Sequence, residues 1–162
     1  MIIKNRIFLF LSLATMSLLL SCQSNDIYKQ VKDIPEASWS KNNVLGYQFT
    51  IEDTLQPYHV YLDVRNTTKY RYQNLYLFIE TTSPAGQSVR DTFECVLADD
   101  RGRWYGKGWG DVYENRIPYK RFIRFPRAGT YSIDIQQAMR TANLKHITDI
   151  GVTITKAKTG EQ

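Results

Sequence analysis

The fold class is decided by the stretch YHVYLDVR at residues 58–65. Val60, Leu62 and Val64 occupy every second position, and the residues between them are polar or aromatic. This period of two is typical of a β-strand with one buried face, because successive side chains of a strand point to opposite sides. The same kind of pattern predicts further strands over residues 46–53, 74–82, 88–98, 112–116, 119–125, 130–136 and 149–156.

The chain favours strands over helices almost throughout. It contains 11 Tyr, 7 Phe and 3 Trp, and aromatic and β-branched residues are enriched in strands. We predict one short helix, over residues 136–141, so no helical crossovers are available for a parallel sheet. Seven to nine short strands therefore predict a mainly β fold, an antiparallel β-sandwich of the jelly-roll or immunoglobulin-like type. Residues 74–82 are apolar on both sides, which predicts either two covered faces or a second face that binds a partner.

The N-terminal residues have the form of a lipoprotein signal. A basic start with Lys4 and Arg6 precedes the apolar run 7–20, and Leu-Leu-Ser-Cys at residues 19–22 has the form of a bacterial lipobox. We therefore predict a signal peptide over residues 1–21, lipidation of Cys22, a polar tether over 22–38 and a β-sandwich domain over 39–162. The alternative is an ordinary secretory signal with a chance cysteine at its cleavage site.

Lipidation would decide the location of the protein. One acyl chain binds a bilayer only marginally, whereas the diacylglycerol of a lipobox cysteine anchors stably. Gln23, rather than an aspartate, follows Cys22, which favours the outer membrane. Asp26 is the one acidic residue close to Cys22, so the periplasmic face is favoured over the cell surface.

Charge and cysteine content narrow the functional classes. The formal charge of +5 falls to +3 once the two cations of the signal peptide are subtracted. This is too mild for nucleic-acid binding, which needs a concentrated basic face. Cys95 has no partner once Cys22 is lipidated, and its alternation with Phe93 and Leu97 predicts a buried, inert thiol on an apolar strand face.

We predict no enzymatic activity, no cofactor and no metal site. The two histidines, His59 and His146, are expected on the surface, and phosphate loops, nucleophile elbows and zinc-binding helices are lacking in the sequence. Asp99, Asp100 and Asp111 are the remaining candidates for carboxylate catalysis or for a calcium site. Aspartates in a glycine-rich segment more often form turns.

The segment DDRGRWYGKGWGD at residues 99–111 is the best candidate for a binding site. It is predicted to be a loop, because it holds four glycines and no periodic pattern. Trp, Tyr and Arg dominate the energetics of binding sites. The alternative is that the aromatic residues fold inward and cap the open end of the sandwich. The candidate ligand- or partner-binding residues are Trp104, Tyr105, Trp109, Arg103 and Asp111, with Arg101 and Lys107 on the rim.

The whole chain resembles a known family, the GldH-type gliding-motility lipoproteins of Gram-negative gliding bacteria and their non-gliding relatives. The resemblance covers nearly all 162 residues. It rests on the lipobox at 19–22, YLDVRN at 61–66, NLYLF at 74–78, DTFEC at 91–95, the segment 102–110, GTY at 129–131 and ITDIG at 147–151. The resemblance implies a cell-envelope lipoprotein without known enzymatic activity, associated with the secretion and motility apparatus.

Two functions remain open at this point. The first is a structural or interaction lipoprotein whose partners are the membrane and other envelope proteins of motility and secretion. The second is a carbohydrate-binding module, because residues 128–131, the predicted helix and residues 147–154 resemble the closing segment of galactose-binding-like jelly rolls. In that case Trp104, Tyr105 and Trp109 would stack on a glycan.

Overall fold

The computed structural model describes residues 25–158, without the side chain of Trp109. The predicted signal peptide and Cys22 lie outside the described residues. Within them no helix is long and apolar enough to cross a bilayer. Pro35–Ala37 forms one 3-10 turn. The strands are β1 (Asp26–Asp33), β2 (Ser38–Ser40), β3 (Leu45–Ile51), β4 (Tyr58–Thr67), β5 (Asn74–Thr82), β6 (Ser88–Val96), β7 (Lys107–Trp109), β8 (Val112–Ile123), β9 (Gly129–Gln137), β10 (Asn143–Lys145) and β11 (Ile147–Lys156).

The strands form two large antiparallel sheets and one small one. The five-stranded sheet has the order β1-β11-β4-β8-β7, and the four-stranded sheet has the order β3-β9-β5-β6. Strands β2 and β10 pair with each other. Neighbours in the sheets are mostly distant in sequence, so hairpins alone do not specify this topology.

The two large sheets pack face to face, as the predicted β-sandwich requires. The buried hydroxyl of Tyr47 on β3 donates to the carbonyl oxygen of Ile150 on β11 across the interface, at 2.7 Å. Near one end of the interface, the rings of Tyr28 and Phe49 lie 5.7 Å apart. Alternate residues of β3, β4, β5, β9 and β11 fill the space between the sheets. The prediction of a mainly β, antiparallel sandwich is confirmed.

The first strand lies inside the predicted tether. β1 pairs with β11 over its whole length, with Val31 opposite Gly151 and Asp33 opposite Asp149. The tether prediction is therefore wrong for Asp26–Asp33, and the sheet begins well before residue 39. The aliphatic residues of this strand, Ile27 and Val31, are both exposed. The strand therefore has no continuous apolar face, and its sequence lacks the alternation that would have indicated it.

The predicted helix over residues 136–141 is not formed. β9 continues to Gln137, whose buried side-chain amide donates to the carbonyl oxygen of Thr141 at 2.9 Å. The amide oxygen of the same side chain accepts from the backbone N–H of Met139 at 2.9 Å. One glutamine side chain therefore closes a tight turn here, and the chain continues directly into β10.

The two strands predicted on either side of Pro118 are one strand, β8. Proline lacks the N–H that a sheet ladder needs and is expected at strand ends or bulges. Pro118 lies inside β8, opposite Tyr61, and the register shifts between Val60 and Tyr61. This irregularity accommodates the proline without ending the strand.

The sandwich has two distinct ends, about 30 Å apart along a ten-residue strand such as β4. We call the end where the described chain begins the N-terminal end; it contains Asn25 and the turns at 52–57, 83–87 and 124–128. The opposite end, which we call the far end, contains residues 68–73, 97–106 and 110–111. The binding segment predicted from sequence lies at the far end.

Candidate functional site

The first part of the candidate segment is a closed turn around Asp99. Its carboxylate accepts hydrogen bonds from the backbone N–H groups of Arg101 and Arg103, at 3.0 and 2.8 Å. Arg103 also donates through Nε to the second carboxylate oxygen at 2.7 Å. The hydrogen bond from the Arg103 backbone is the main cause that lowers the pKa of Asp99. Asp99 and Arg103 therefore hold the turn in shape.

The second part of the segment is a β-hairpin rather than the predicted irregular loop. Lys107 pairs with Glu114, and Trp109 pairs with Val112, across a turn at residues 110–111. Gly110 has a φ of 66°, the left-handed conformation that two-residue hairpin turns favour. The prediction of a loop without secondary structure is therefore wrong for Lys107–Trp109.

Two glycines allow this hairpin to form. A Cβ atom at Gly106 would lie 2.6 Å from the backbone oxygen of Glu114. A Cβ atom at Gly108 would lie 2.8 Å from the ring of Tyr113. Both distances are shorter than van der Waals contact, so a side chain at residue 106 would force the backbones apart and one at residue 108 would displace the ring of Tyr113.

Trp104 packs inward, as the capping alternative predicted for the aromatic residues. Its backbone bridges to Ala98, and its half-buried ring lies 6.4 Å from that of Tyr70 and 5.8 Å from that of Tyr113. Tyr70 is 4% exposed, and burial raises the pKa of its phenol. Trp104 therefore covers the far end of the core.

Cys95 lies under this aromatic cover. It is fully buried, and its charge would interact with the phenol of Tyr70. Burial raises the pKa of the Cys95 thiol to about 12, so the reactive thiolate is not formed near neutral pH. The predicted buried thiol is confirmed.

Tyr105 points the other way and is 65% exposed. It lies on the wall of an open cleft of about 710 Å³ between the candidate segment and β8. Val96, at the end of β6, is 53% exposed and contributes a second apolar group. The cleft therefore combines apolar walls with a charged rim. The remaining lining residues are Gly106, Lys107, Glu114, Asn115, Arg116, Ile117 and Pro118.

The charges on the rim are held in place by neighbouring strands. Arg116 donates through Nε to Asp63 at 2.7 Å, and Asp63 also accepts from the hydroxyl of Thr153. The hydrogen bond with Asp63 is the main cause that raises the pKa of Arg116. Glu114 pairs with Arg65 at 3.2 Å. Apolar walls with a fixed charged rim suit a protein surface that carries an exposed apolar side chain.

The structure separates the other residues predicted from sequence. Asp111 is exposed at the hairpin turn, where its carbonyl oxygen accepts from the backbone N–H of Thr68 at 2.8 Å. The side chain of Trp109 lies outside the described part of the chain, so its predicted role stays a prediction. Arg101 and Asp100 are exposed on the turn around Asp99.

The prediction that both histidines lie on the surface is wrong for His59. That residue is 4% exposed, because the ring of Phe122 covers it with the centroids 4.5 Å apart. Its Nδ1 accepts from the backbone N–H of Phe122 at 3.3 Å. His146 is half-buried. Phe122 reaches His59 through an irregularity in β8, which the sequence pattern does not indicate.

Sequence reasoning missed most of the cleft, since only three of its nine lining residues belong to the segment 99–111. Val96, Glu114 and Arg116 belong to predicted strands but were not assigned to a site, and Ile117 lies between the two strands that were predicted in place of β8. They join Tyr105 because β8 pairs with β4 and lies opposite the edge of the other sheet. The sequence held one weak indication of this cleft, because Val96 is an apolar residue on the polar side of its strand.

Two of the solved structures that match this chain show weak likeness to it. A family GH115 4-O-methyl-alpha-glucuronidase matches 82% of this chain and 18% of its own, with a TM-score of 0.43 and 10% identity. Dimeric latent PorU from Porphyromonas gingivalis matches 85% of this chain and 14% of its own, with a TM-score of 0.28 and 13% identity. Neither likeness bears on function.

Comparison with sequences is far more specific. The family model described as GldH lipoprotein matches residues 26–154. The gliding motility lipoprotein GldH homolog of Christiangramia forsetii is 34% identical over 155 residues, which cover 91% of this chain and 94% of the relative. The gliding motility lipoprotein GldH of Flavobacterium johnsoniae is 30% identical over 144 residues, which cover 85% of this chain and 89% of the relative. The chain belongs to the GldH lipoprotein family.

Proposed function

We propose that the protein is a non-enzymatic envelope lipoprotein that holds a partner of the gliding-motility and secretion apparatus in the far-end cleft. The observation that carries this proposal is the exposed Tyr105 beside Val96 on the wall of that cleft. A tyrosine contributes a large contact area at low entropic cost and is enriched in binding hot spots. Lys107 on the rim supplies a charge that can steer a partner.

The lipid anchor is the second part of the proposal. Diacylglycerol on Cys22 would attach the protein to the periplasmic face of the outer membrane. Membership of a lipoprotein family and the lipobox at residues 19–22 support this assignment. The far end lies about 30 Å from the N-terminal end, so a partner there would meet the cleft away from the attachment point.

The cleft is tested by pull-down from detergent-solubilised envelopes, with quantitative mass spectrometry of the recovered proteins. Tyr105→Ala should reduce recovery of the partner strongly, because truncation of an anchoring aromatic costs about 2 kcal/mol or more in binding. Lys107→Gln should reduce recovery less and mainly at low salt. Val89→Ala, an equally exposed residue at the N-terminal end, is the matched control and should change nothing.

Two results would argue against the cleft. Unchanged recovery with Tyr105→Ala would remove the docking role from this residue. Specific binding to a glycan array, lost in the same variant, would favour the carbohydrate-binding alternative.

The anchor is tested by mass spectrometry of the protein purified from membranes. The chain should start at Cys22 and carry acyl groups, and Cys22→Ser should accumulate as unacylated precursor. An acylated chain starting at residue 22 in the Cys22→Ser variant would contradict this assignment.

A further inference from the structure

Leu55 is presented to solvent by an ordered turn at the N-terminal end. It is 82% exposed, the highest value for a large apolar side chain in the described part of the chain. The carboxylate of Asp53 accepts hydrogen bonds from the backbone N–H groups of Leu55 and Gln56, at 2.9 and 3.2 Å. Folding therefore fixes the turn while leaving the leucine in water, so its apolar surface is available for burial against another surface.

A second apolar side chain and several cations lie at the same end. Arg124 donates through Nε to the carbonyl oxygen of Leu55 at 3.0 Å. Phe122 is 37% exposed at an irregularity of β8, with the guanidinium of Arg121 over its ring at 5.6 Å. Within residues 25–158, the carboxylates at the start of β1 and in the turn that carries Leu55 are Asp26, Glu52 and Asp53. The exposed cations outnumber them and are Arg121, Arg124, Arg127, Lys156 and Lys158.

The described chain begins beside this surface. The carbonyl oxygen of Asn25 accepts from the backbone N–H of Lys156 at 3.2 Å. The next residue, Ala157, accepts through its carbonyl oxygen from the side chain of Gln56 at 2.9 Å, directly beside Leu55. Cys22 precedes Asn25 by three residues, which reach about 11 Å when fully extended.

We propose that the N-terminal end of the sandwich, with Leu55, Phe122 and the neighbouring arginines, docks on the surface of an anionic phospholipid bilayer. The inference rests on the proposed anchor at Cys22, because lipid on that residue holds this end within a few residues of the headgroups. The exposed leucine enters the interface, and the cations contact lipid phosphates.

Three features favour a bilayer over another protein as the occupant. The short connection to Cys22 gives the bilayer a high effective concentration at this surface and leaves little room for a folded partner. Leu55 and Phe122 each lie beside an arginine, whereas protein interfaces have an apolar centre with a separate polar rim. The excess of cations over carboxylates among the described residues of this end suits anionic headgroups. Docking would also direct the far-end cleft away from the membrane.

The test uses the full-length lipidated protein in vesicles of phosphatidylcholine with phosphatidylglycerol. Leu55→Cys is labelled with an environment-sensitive fluorophore; buried Cys95 and acylated Cys22 do not compete for the label. A lipid that carries a nitroxide near the headgroup should quench this label. The matched control is Val44→Cys, an exposed aliphatic position at the far end, which should not be quenched.

The cations are tested in the same vesicles. Arg121→Gln and Arg127→Gln should each lower the ratio of docked to undocked protein about fivefold. Arg71→Gln, at the far end, is the matched control and should have no effect. Replacing phosphatidylglycerol by phosphatidylcholine should reduce quenching at residue 55 in the same way.

Three outcomes would overturn the proposal. Equal quenching at residues 55 and 44, or none at either, would show that this end does not face the bilayer. A blue shift at residue 55 without quenching, dependent on protein density, would identify a second copy of the chain as the occupant. A chain without acyl mass would remove the anchor and this inference together, whereas an acylated chain without quenching would overturn only the inference.

Discussion

The two ends of the sandwich place their apolar side chains differently. At the far end, Trp104 packs on Tyr70 and Tyr113, whereas its neighbour Tyr105 remains in solvent. At the N-terminal end, the turn that carries Leu55 is held by hydrogen bonds from backbone N–H groups to Asp53 and from Arg124 to the Leu55 carbonyl oxygen, while the Leu55 side chain stays in solvent. Aromatic residues at the far end therefore serve both stability and binding, whereas Leu55 makes little contribution to stability. Mutations of aromatic residues at the far end should therefore affect stability or binding, whereas mutation of Leu55 should leave stability nearly unchanged.

The largest expected effect is that of Trp104→Ala. Loss of a half-buried indole should lower the free energy of unfolding by about 2–3 kcal/mol, because truncation of a fully buried tryptophan costs more than this. The measurement is urea or thermal unfolding of the full-length protein. Tyr105→Ala is the matched control and should change stability by less than about 0.5 kcal/mol. Equal losses for both variants would show that the cleft wall and the core cover are one unit.

Gly106→Ala comes next. The added Cβ would meet the backbone oxygen of Glu114 at 2.6 Å, so β7 must move away from β8. We expect a loss of about 1–2 kcal/mol in stability, together with weaker partner recovery. Gly102→Ala should cost about 1 kcal/mol from its left-handed backbone but leave recovery unchanged, because its surroundings are open. A stable Gly106→Ala variant with normal recovery would contradict the role of the hairpin.

Cys95→Ala should lower the free energy of unfolding by about 1 kcal/mol, typical of a small truncation in a core. In the native protein, Cys95 should react slowly with a thiol reagent, and Trp104→Ala should accelerate the reaction by opening its cover. Since the pKa is raised to about 12 from 9.0, the thiol stabilises the fold below pH 9, and this contribution is lost as the pH rises towards 12. Rapid labelling of the native protein would contradict the prediction.

The smallest effects concern two carboxylates that line neither the far-end cleft nor the proposed bilayer-facing surface. Hydrogen bonds from Lys120 and Tyr119 lower the pKa of Asp91, so its contribution to stability is present above about pH 4 and is lost as the pH falls through its lowered pKa. Burial, with Asp33 nearby, raises the pKa of Asp149, so its ionisation opposes folding at neutral pH.

These two opposite shifts make a matched pair of variants. Asp91→Asn should destabilise the protein at pH 7, whereas Asp149→Asn should stabilise it slightly. Thermal unfolding at pH 7 and at pH 3 should show the difference between the variants shrinking at the lower pH. Changes of the same sign at pH 7 would show that the two carboxylates do not differ in this way.

Alternation along the chain was enough to predict most strands and their buried faces. The apolar positions of β3, β4 and β9 lie in the core as their period of two requires, and so does Cys95. The sequence pattern failed to predict local structure where hydrogen bonds to other parts of the chain, rather than apolar alternation, decide the conformation. β1 exposes Ile27 and Val31, packs Tyr28 on Phe49 and is held by its pairing with β11. Likewise, residues 136–141 do not form the predicted helix, because hydrogen bonds of the Gln137 side chain close a turn there.

The fold class, the buried thiol and membership of the GldH lipoprotein family could all be predicted from local patterns and specific segments of the sequence. Strand periodicity is local, so it can be read without knowing which strands pair. The tertiary structure alone decided that Trp104 covers the core while Tyr105 lines a cleft, and that the chain begins beside Leu55. These arrangements depend on strand order and register, which bring distant residues together and which no local pattern encodes.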